Sequence, residues 1–168
     1  LQYFDKVDEN ALTYEQTEKY TFQKGYAYFT AGDKKTAADY FNKVINSKVY
    51  GTQANYYLGF MQYEGNNYQE ANKYFQKVEG EEKYSDKLSY FKADMAFKTA
   101  ECYRMTERYR EANEWYDRAV LLDYFEIAPE VYFYNGEMLR MMDEFEKAVK
   151  SYQEYQKLVP GDTRADIA

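Results

Sequence analysis

The sequence contains no histidine and a single cysteine, Cys102, among its 168 residues. Without histidine the chain has no side chain that shuttles protons near neutral pH, and neither a Ser–His nor a Cys–His pair can form within it. One cysteine cannot form an internal disulfide, so the cysteine count leaves the redox compartment open. Paired-cysteine spacing, EF-hand loops and glycine-rich phosphate loops are also missing. We therefore expect no enzyme, no catalytic residue, no metal site and no cofactor.

Proline and glycine are scarce, with two and eight residues. An all-β fold needs many turn residues, whereas the abundant Ala, Glu, Lys, Gln, Leu and Met residues predict an all-α chain. No apolar stretch approaches the roughly 20 residues that span a bilayer, and the N-terminus has no basic segment followed by an apolar run. We therefore expect no direct membrane insertion in this segment.

The net charge excludes one class of partner, whereas the aromatic content indicates packing or binding. The formal net charge is −7, and no run of five like charges occurs, so the chain offers no basic surface for phosphates and we expect no nucleic-acid partner. Aromatic residues make up 20% of the chain, with 22 Tyr, 11 Phe and 1 Trp. Helix propensity alone does not select so many rings. Packing or binding must therefore require them.

A five-residue block recurs along the chain. Tyr-Phe-x-Lys-Val occupies residues 3–7, 40–44 and 74–78, and weaker copies occupy 115–119 and 151–155. Their starts are 37, 34, 41 and 36 residues apart, a period that is typical of a solenoid of short supersecondary units. The longest interval predicts an insertion near residues 79–90. Because the chain opens inside such a unit, we expect it to be part of a longer protein.

Each repeat combines a small residue with an apolar stripe. The first small residue is followed twelve positions later by alanine, then by an aromatic residue four further on, and by an apolar residue three beyond that. The four sets are Gly25, Ala37, Phe41, Val44; Gly59, Ala71, Phe75, Val78; Ala100, Ala112, Tyr116, Ala119; and Gly136, Ala148, Tyr152, Tyr155. Spacing of i, i+4 and i+7 places the stripe on one face of a second helix. Each repeat is therefore predicted to be a helical hairpin whose helices approach closely at the small residue.

Turn signals complete the helix prediction. Breaks are expected at 32–33, 65–67, 106–108 and 142–144, with Pro129 in the first turn of one helix and Pro160 ending another. The predicted helices cover residues 1–8, 14–31, 34–47, 51–64, 68–79, 86–106, 109–123, 129–142 and 145–158.

These residues resemble the tetratricopeptide repeat (TPR) family, most closely in Tyr57-Leu58-Gly59 and the stripes that follow. The resemblance implies a right-handed α–α superhelix, or solenoid, of about four hairpins plus partial flanking helices, all within one domain, 1–168. The expected divisions are 1–17 for the end of a preceding repeat and a linker, 18–50, 51–85 with an insertion to about 91, 92–127, 128–161, and 162–168 for the start of a following segment. Lys24, Thr99 and Asn135 depart from the family's usual leucine, and Ala100 departs from its glycine.

Three short sequence segments show a more specific resemblance. Residues 54–59, 100–104 and 158–162 are similar to cell-envelope tetratricopeptide proteins of Bacteroidetes-type bacteria, including OmpA-associated and type IX secretion-like proteins. The resemblance implies a periplasmic or cell-envelope location.

In this family the first helices of the repeats line a concave groove, which the resemblance implies is the protein-binding site. The predicted groove residues are Phe22, Tyr26, Phe29, Tyr56, Phe60, Tyr63, Phe97, Arg104, Phe133 and Arg140. The aromatic residues have an alternative role, because helical aromatic stripes usually pack between repeats. Arg104 and Arg140 also have two interpretations. They could bind a ligand carboxylate, or they could pair with a glutamate three residues earlier on the same helix.

We therefore predict a non-enzymatic scaffold that binds a protein or peptide, within a larger bacterial envelope assembly. The alternative is a structural spacer or self-association module without a dedicated groove. A chaperone-type carboxylate clamp is disfavoured, because Tyr26 and Phe60 occupy the positions at which that subtype carries asparagine. A glycosidase-like pair of Glu101 and Glu137 is the least favoured hypothesis, because acids on helices are usually solvated.

Overall fold

A computed structural model describes residues 4–79 and 89–165 of the chain. All the regular elements in these ranges are helical, which confirms the all-α prediction. The α-helices are α1 (Tyr14–Thr30), α2 (Lys34–Lys43), α3 (Gly51–Glu64), α4 (Tyr68–Glu79), α5 (Ser89–Met105), α6 (Tyr109–Leu121), α7 (Glu130–Met141) and α8 (Phe145–Leu158). Short 3-10 turns lie at Phe4–Lys6, Glu9–Ala11, Tyr124–Glu126 and Thr163–Ala165. The predicted insertion near 79–90 lies, apart from its ends, outside the described residues.

The helices pair as hairpins within two compact units, Leu1–Glu81 and Glu82–Ala168. In the first unit α1 packs against α2 and α3 against α4. In the second unit α5 packs against α6 and α7 against α8, and α6 also packs against α7. Each unit therefore contains two of the hairpins that the repeat pattern predicts.

Each hairpin turn contains one residue in the left-handed region, at the same place in the repeat. Gly32 has φ 85°, and its counterparts Asn66, Glu107 and Asp143 have φ 61°, 59° and 62°. Asn and Asp adopt this conformation at lower cost than other non-glycine residues, which leaves Glu107 as the costliest of the four. The turns predicted from weak sequence signals at 106–108 and 142–144 are confirmed, because the turn needs only this one unusual residue.

The small residues bring the two helices of each hairpin together. A β-carbon placed on Gly136 would lie 2.6 Å from Cε1 of Tyr152, and one on Gly59 would lie 2.7 Å from Cε1 of Phe75. The apolar stripes on the second helices are buried, and their aromatic members are at most 4% exposed. Both predictions from the repeat pattern are confirmed, since the ring of the second helix occupies the space that a side chain on the first would need.

Two predicted helices are wrong in part. Residues 4–8 do not continue an α-helix, because the Asp8 side chain accepts a hydrogen bond from the Asn10 backbone at 3.1 Å and starts a separate 3-10 turn. Helix α2 ends at Lys43 instead of residue 47. There the Ser47 hydroxyl accepts from the backbone N–H of Tyr50 at 3.1 Å, and this local bond competes with the helix.

Candidate functional site

The aromatic face lies on α1 and α3 of the first unit. It contains the six predicted site residues of that unit, Phe22, Tyr26, Phe29, Tyr56, Phe60 and Tyr63. Tyr57 is at its centre, because its ring centroid lies 5.4 Å from that of Tyr26, 5.1 Å from that of Phe29 and 6.2 Å from that of Phe22. Phe29 extends the cluster to Phe60 at 5.8 Å. The first helices of the two repeats therefore share one continuous group of rings.

The rings of the aromatic face differ in their exposure. Tyr26 is 44% exposed, whereas Tyr56 is 7% exposed. Phe22, Phe29, Phe60 and Tyr63 are half-buried. Tyr63 also contacts Tyr68 of α4, with ring centroids 6.0 Å apart. The structure thus brings Phe22, Tyr26, Phe29, Tyr56 and Phe60 into one cluster, places Tyr63 against α4, and presents Tyr26 to solvent more than the others.

The hydroxyl groups of Tyr26 and Tyr57 lie close together. Burial, and then the neighbouring Tyr26 hydroxyl, raise the pKa of Tyr57 to about 12. Tyr57 therefore stays neutral across the physiological pH range and can donate or accept a hydrogen bond. Beside the rings, this pair is the polar feature at the centre of the aromatic face.

The second unit carries a different set of side chains at the corresponding positions, which we call the arginine face. In α5, the guanidinium of Arg104 donates to Glu101 through Nε at 3.0 Å and Nη2 at 2.6 Å. The hydroxyl of Tyr116, from α6, donates to the same carboxylate. The intrahelical pair that the sequence left as one of two interpretations is therefore formed.

The next repeat has the same arrangement 36 residues later. In α7, Arg140 donates to Glu137 through Nε at 3.4 Å and Nη2 at 2.9 Å. The Tyr152 hydroxyl, from α8, donates to Glu137 at 2.5 Å. Each repeat of the second unit therefore holds its arginine by a carboxylate that a buried tyrosine positions.

Aromatic rings lie beside Arg104. The Arg104 guanidinium carbon lies 4.6 Å from the centre of the Tyr134 ring, a cation–π contact. Phe97 lies 6.5 Å from Tyr134, and Phe133 lies 5.5 Å from it. All three rings are half-buried. Tyr134 thus links Phe97, Arg104 and Phe133, and the fourth predicted residue, Arg140, is connected to Phe133 through Glu137 and Tyr152.

The ionisation of these groups follows from their surroundings. Burial, together with the charge of Glu101, raises the pKa of Tyr116 well above its usual value. Burial tends to raise the pKa of Glu137, but hydrogen bonds from Arg140 and Tyr152 outweigh it, so the pKa is lowered. The tyrosines are therefore neutral donors, while Glu137 and Arg140 form an ion pair.

Sequence reasoning missed the tyrosine–glutamate contact, although a signal for it exists. The aromatic of the second-helix stripe is Phe41 or Phe75 in the first unit, and Tyr116 or Tyr152 in the second. In the repeats that carry tyrosine, the facing first-helix position carries glutamate. A buried hydroxyl needs an acceptor, so the two substitutions belong together.

The structure also shows the surroundings of the cysteine and of the carboxylates considered in the sequence analysis. No group of three or more His, Cys, Asp or Glu residues there could hold a metal ion. Cys102 is buried, and burial raises the pKa of its thiol to about 12, so the unreactive protonated form prevails. Glu101 and Glu137, considered above as a catalytic pair, each bind an arginine and a tyrosine. Within the same residues no helix is both long and apolar enough to cross a membrane.

Comparison with known proteins identifies the same family that the repeat pattern resembles. The family model described as "Tetratricopeptide repeat" matches residues 22–86 and 62–123, which together span 102 of the 168 residues. No curated protein matches the sequence.

Several solved structures have similar folds. YrrB, described as a TPR protein with an unusual peptide-binding site, is 18% identical with a TM-score of 0.74, over 98% of this chain and 76% of its own. A MamA structure is 19% identical with a TM-score of 0.71, over 90% of this chain and 78% of its own. MamA from Desulfovibrio magneticus RS-1 is 20% identical with a TM-score of 0.63, over 86% of this chain and 77% of its own. At these identities the likeness shows the fold alone.

Proposed function

Because the chain belongs to the tetratricopeptide repeat family, we propose that it is a non-enzymatic scaffold that binds protein or peptide segments. The binding surfaces are the aromatic face of the first unit and the arginine face of the second. The observation that carries the proposal is the exposure of Tyr26, 44% of which is open to solvent at the edge of a packed ring cluster. The peptide-binding site named for the structurally similar YrrB supports it.

Tyr26 has the properties of an interface anchor. Its ring is held by Tyr57 at 5.4 Å and Phe29 at 6.4 Å, so little rotamer entropy remains to be lost when a ligand binds. Tyrosines that are partly buried in such clusters are enriched among the residues that dominate binding energy. A ligand side chain that covers Tyr26 would also shield the Tyr57 hydroxyl. The aromatic face therefore suits an apolar or aromatic side chain of a peptide.

A displayed library of random peptides tests this proposal. We expect Tyr26→Ala to weaken the tightest selected peptide at least about tenfold, the effect of losing an interface anchor, with little change in Tm. Tyr14→Ala is the matched control, because Tyr14 is 78% exposed on the same helix and hydrogen bonds to Glu18 on that helix. Its affinity for the same peptide should be unchanged.

The opposite result would identify Tyr26 as scaffold. If Tyr26→Ala lowers the free energy of unfolding by several kcal/mol and leaves peptide affinity unchanged, the ring only packs the repeats.

A second candidate function, self-association, has one specific observation in its favour. In the second unit, Asn113 of α6 donates to Asn135 of α7 at 2.5 Å, so this position joins one repeat to the next. Val149 of α8 is its counterpart 36 residues later and is 45% exposed, beside Phe145 at 58%. A library without binders, together with a mass that rises with protein concentration, would favour this candidate.

We further propose that the scaffold works within a bacterial envelope assembly. This compartment rests on the resemblance of residues 54–59, 100–104 and 158–162 to envelope tetratricopeptide proteins of Bacteroidetes-type bacteria. A signal peptide encoded upstream in the full-length gene would agree with it, and a full-length protein that stays in the cytoplasmic fraction would contradict it.

A further inference from the structure

We propose that the second unit carries a binding site for a guanidinium group. The chain's own Arg164 fills this site in the structure, and an arginine side chain of a protein partner fills it when the partner binds. The site consists of the Phe133 ring, the Tyr155 hydroxyl and the Asp162 carboxylate. The inference rests on the proposed function and adds the class of ligand for the second unit.

Arg164 contacts three kinds of group at once. Its guanidinium donates to the Asp162 carboxylate through Nε at 2.9 Å and Nη2 at 2.5 Å, and Nη2 also donates to the Tyr155 hydroxyl at 2.5 Å. The guanidinium carbon lies 5.2 Å from the centre of the Phe133 ring, a cation–π contact. A carboxylate and a ring face match a planar guanidinium better than they match the ammonium of a lysine. Together these groups therefore form a guanidinium site.

The groups of the site also hold one another. The Tyr155 hydroxyl donates to Asp162 at 2.6 Å, and Tyr155 is fully buried, so the carboxylate has an anchor besides Arg164. The Tyr155 ring contacts that of Phe133, with centroids 5.5 Å apart. The charge of Glu130 acts at the same place, because it contributes, after burial and Asp162, to raising the pKa of Tyr155 to about 12. Two carboxylates therefore favour a cation where Arg164 lies.

The other repeats show that the cover on Phe133 is unusual. Phe133 lies three residues before the small residue of its first helix, and the first and third repeats also carry phenylalanine at this position. In those repeats a tyrosine from the segment after the second helix stacks on the phenylalanine: Tyr50 on Phe22 at 5.1 Å, and Tyr124 on Phe97 at 4.9 Å. In the fourth repeat the segment after the second helix supplies Arg164 instead. The ring of Phe133 is therefore covered by a cation.

Arg164 belongs to a segment that can leave without opening the core. Residues 160–164, which we call the strap, follow α8, and Asp162 is the half-buried residue among four exposed ones. The Arg164 side chain is 50% exposed, whereas Tyr124, which covers the ring of the third repeat, is 6% exposed. Segments with few buried contacts open locally at a low cost in free energy. The arginine of a partner can therefore replace Arg164 while α7 and α8 remain packed.

Arg164→Ala tests the inference, because it empties the site and keeps Tyr155 and Asp162. The probe is acetyl-arginine amide, titrated into the full chain and followed by the backbone amide NMR signals of Phe133 and Asp162. We expect these signals to shift in the variant at millimolar probe. Binding to the wild type should be at least about tenfold weaker, because the tethered Arg164 competes at a high effective concentration. Acetyl-lysine amide has the same charge and should bind the variant about tenfold more weakly than the arginine probe.

Arg108→Ala is the matched control. Arg108 also donates to a nearby carboxylate, that of Glu111, at 2.5 Å, and its guanidinium carbon lies 4.7 Å from the Tyr103 ring. The Glu111 side chain is 37% exposed, against 18% for Asp162, so water competes more strongly for its carboxylate. The control variant loses the same kinds of contact as Arg164→Ala. It should nevertheless bind acetyl-arginine amide no more tightly than the wild type does.

Three results would overturn the inference. The first is the absence of shifts in Arg164→Ala, which would show that Arg164 only fastens the strap. The second is an equal gain of affinity in Arg108→Ala, and the third is equal binding of the arginine and lysine probes to Arg164→Ala. Any of these can occur while library peptides still bind through Tyr26, and then only this inference fails. If no library peptide binds either, the proposed function fails with it.

Discussion

At the scale of single residues, the repeats of the two units differ in one buried hydroxyl group per repeat. Tyr116 and Tyr152 occupy the position that Phe41 and Phe75 occupy in the first unit, and each donates to a glutamate of the facing helix. Burying a hydroxyl without a partner is costly, so tyrosine here requires an acceptor. The acceptor in turn holds the arginine. A change in the core therefore determines the chemistry of the surface.

Tyr116→Phe tests this coupling. We expect the free energy of unfolding to fall by about 1–2 kcal/mol, because Glu101 loses a donor while it remains buried. Tyr28→Phe is the control, because Tyr28 makes its ring contact by stacking on Tyr40 at 5.6 Å; its change should stay within about 0.5 kcal/mol. Urea unfolding measures both. An unchanged stability of Tyr116→Phe would show that Arg104 alone satisfies Glu101.

At the scale of helices, the hairpin depends on close approach at one position. Glycine or alanine stands there in every repeat, because the ring of the second helix lies against the backbone of the first. The same scale explains the error at the N-terminus. A segment of so few residues is too short to form a stable α-helix, and the Asp8 cap starts a separate turn after it. Phe4 packs on Tyr20, with ring centroids 5.4 Å apart, but its segment remains a 3-10 turn.

Gly136→Ala should destabilise the α7–α8 hairpin by about 1–2 kcal/mol. Overpacking lowers the stability, and the higher helix propensity of alanine offsets part of that loss. The added carbon would lie 2.6 Å from Cε1 of Tyr152, whose hydrogen bond to Glu137 prevents the ring from moving away. Gly65→Ala is the control, because its nearest neighbours lie 3.4 Å away. Thermal unfolding compares them, and equal Tm values would show that the hairpin can open without cost.

At the scale of the whole molecule, the 22 tyrosines make stability sensitive to high pH. Burial is the main cause that raises the pKa of Tyr57, Tyr152 and Tyr155 to about 12, and the unfolded value is about 10. The folded state therefore holds these protons more tightly. The resulting stabilisation is fully present below pH 10 and is lost as the pH rises towards 12.

We expect the free energy of unfolding to decrease steadily above about pH 10. Tyrosinate absorbance should rise in two steps for the folded chain and in one step, near pH 10, for the chain in urea. A single step near pH 10 in both states would show that the buried hydroxyl groups open to solvent before they ionise.

Much of the fold could be predicted because the repeat imposes it locally. The interval between Gly25 and Phe41, copied in later repeats, specifies two helices, a turn and a close contact. For the site, the helices and faces could be predicted, since Tyr26 and Arg104 follow from their repeat positions. Exposure could not, because helical spacing does not distinguish Tyr56, which is buried, from Tyr26, which is half open to solvent.

The sequence by itself determined the helical hairpins, the buried stripe of the second helices and the absence of histidine chemistry. Only the tertiary structure decided the state of Arg104 and Arg140. A guanidinium on a helix can bind a ligand or a neighbouring glutamate, and the two differ by little free energy in solvent. The tyrosine that decides between them comes from the other helix, and its contact with the glutamate exists only after the hairpin has closed.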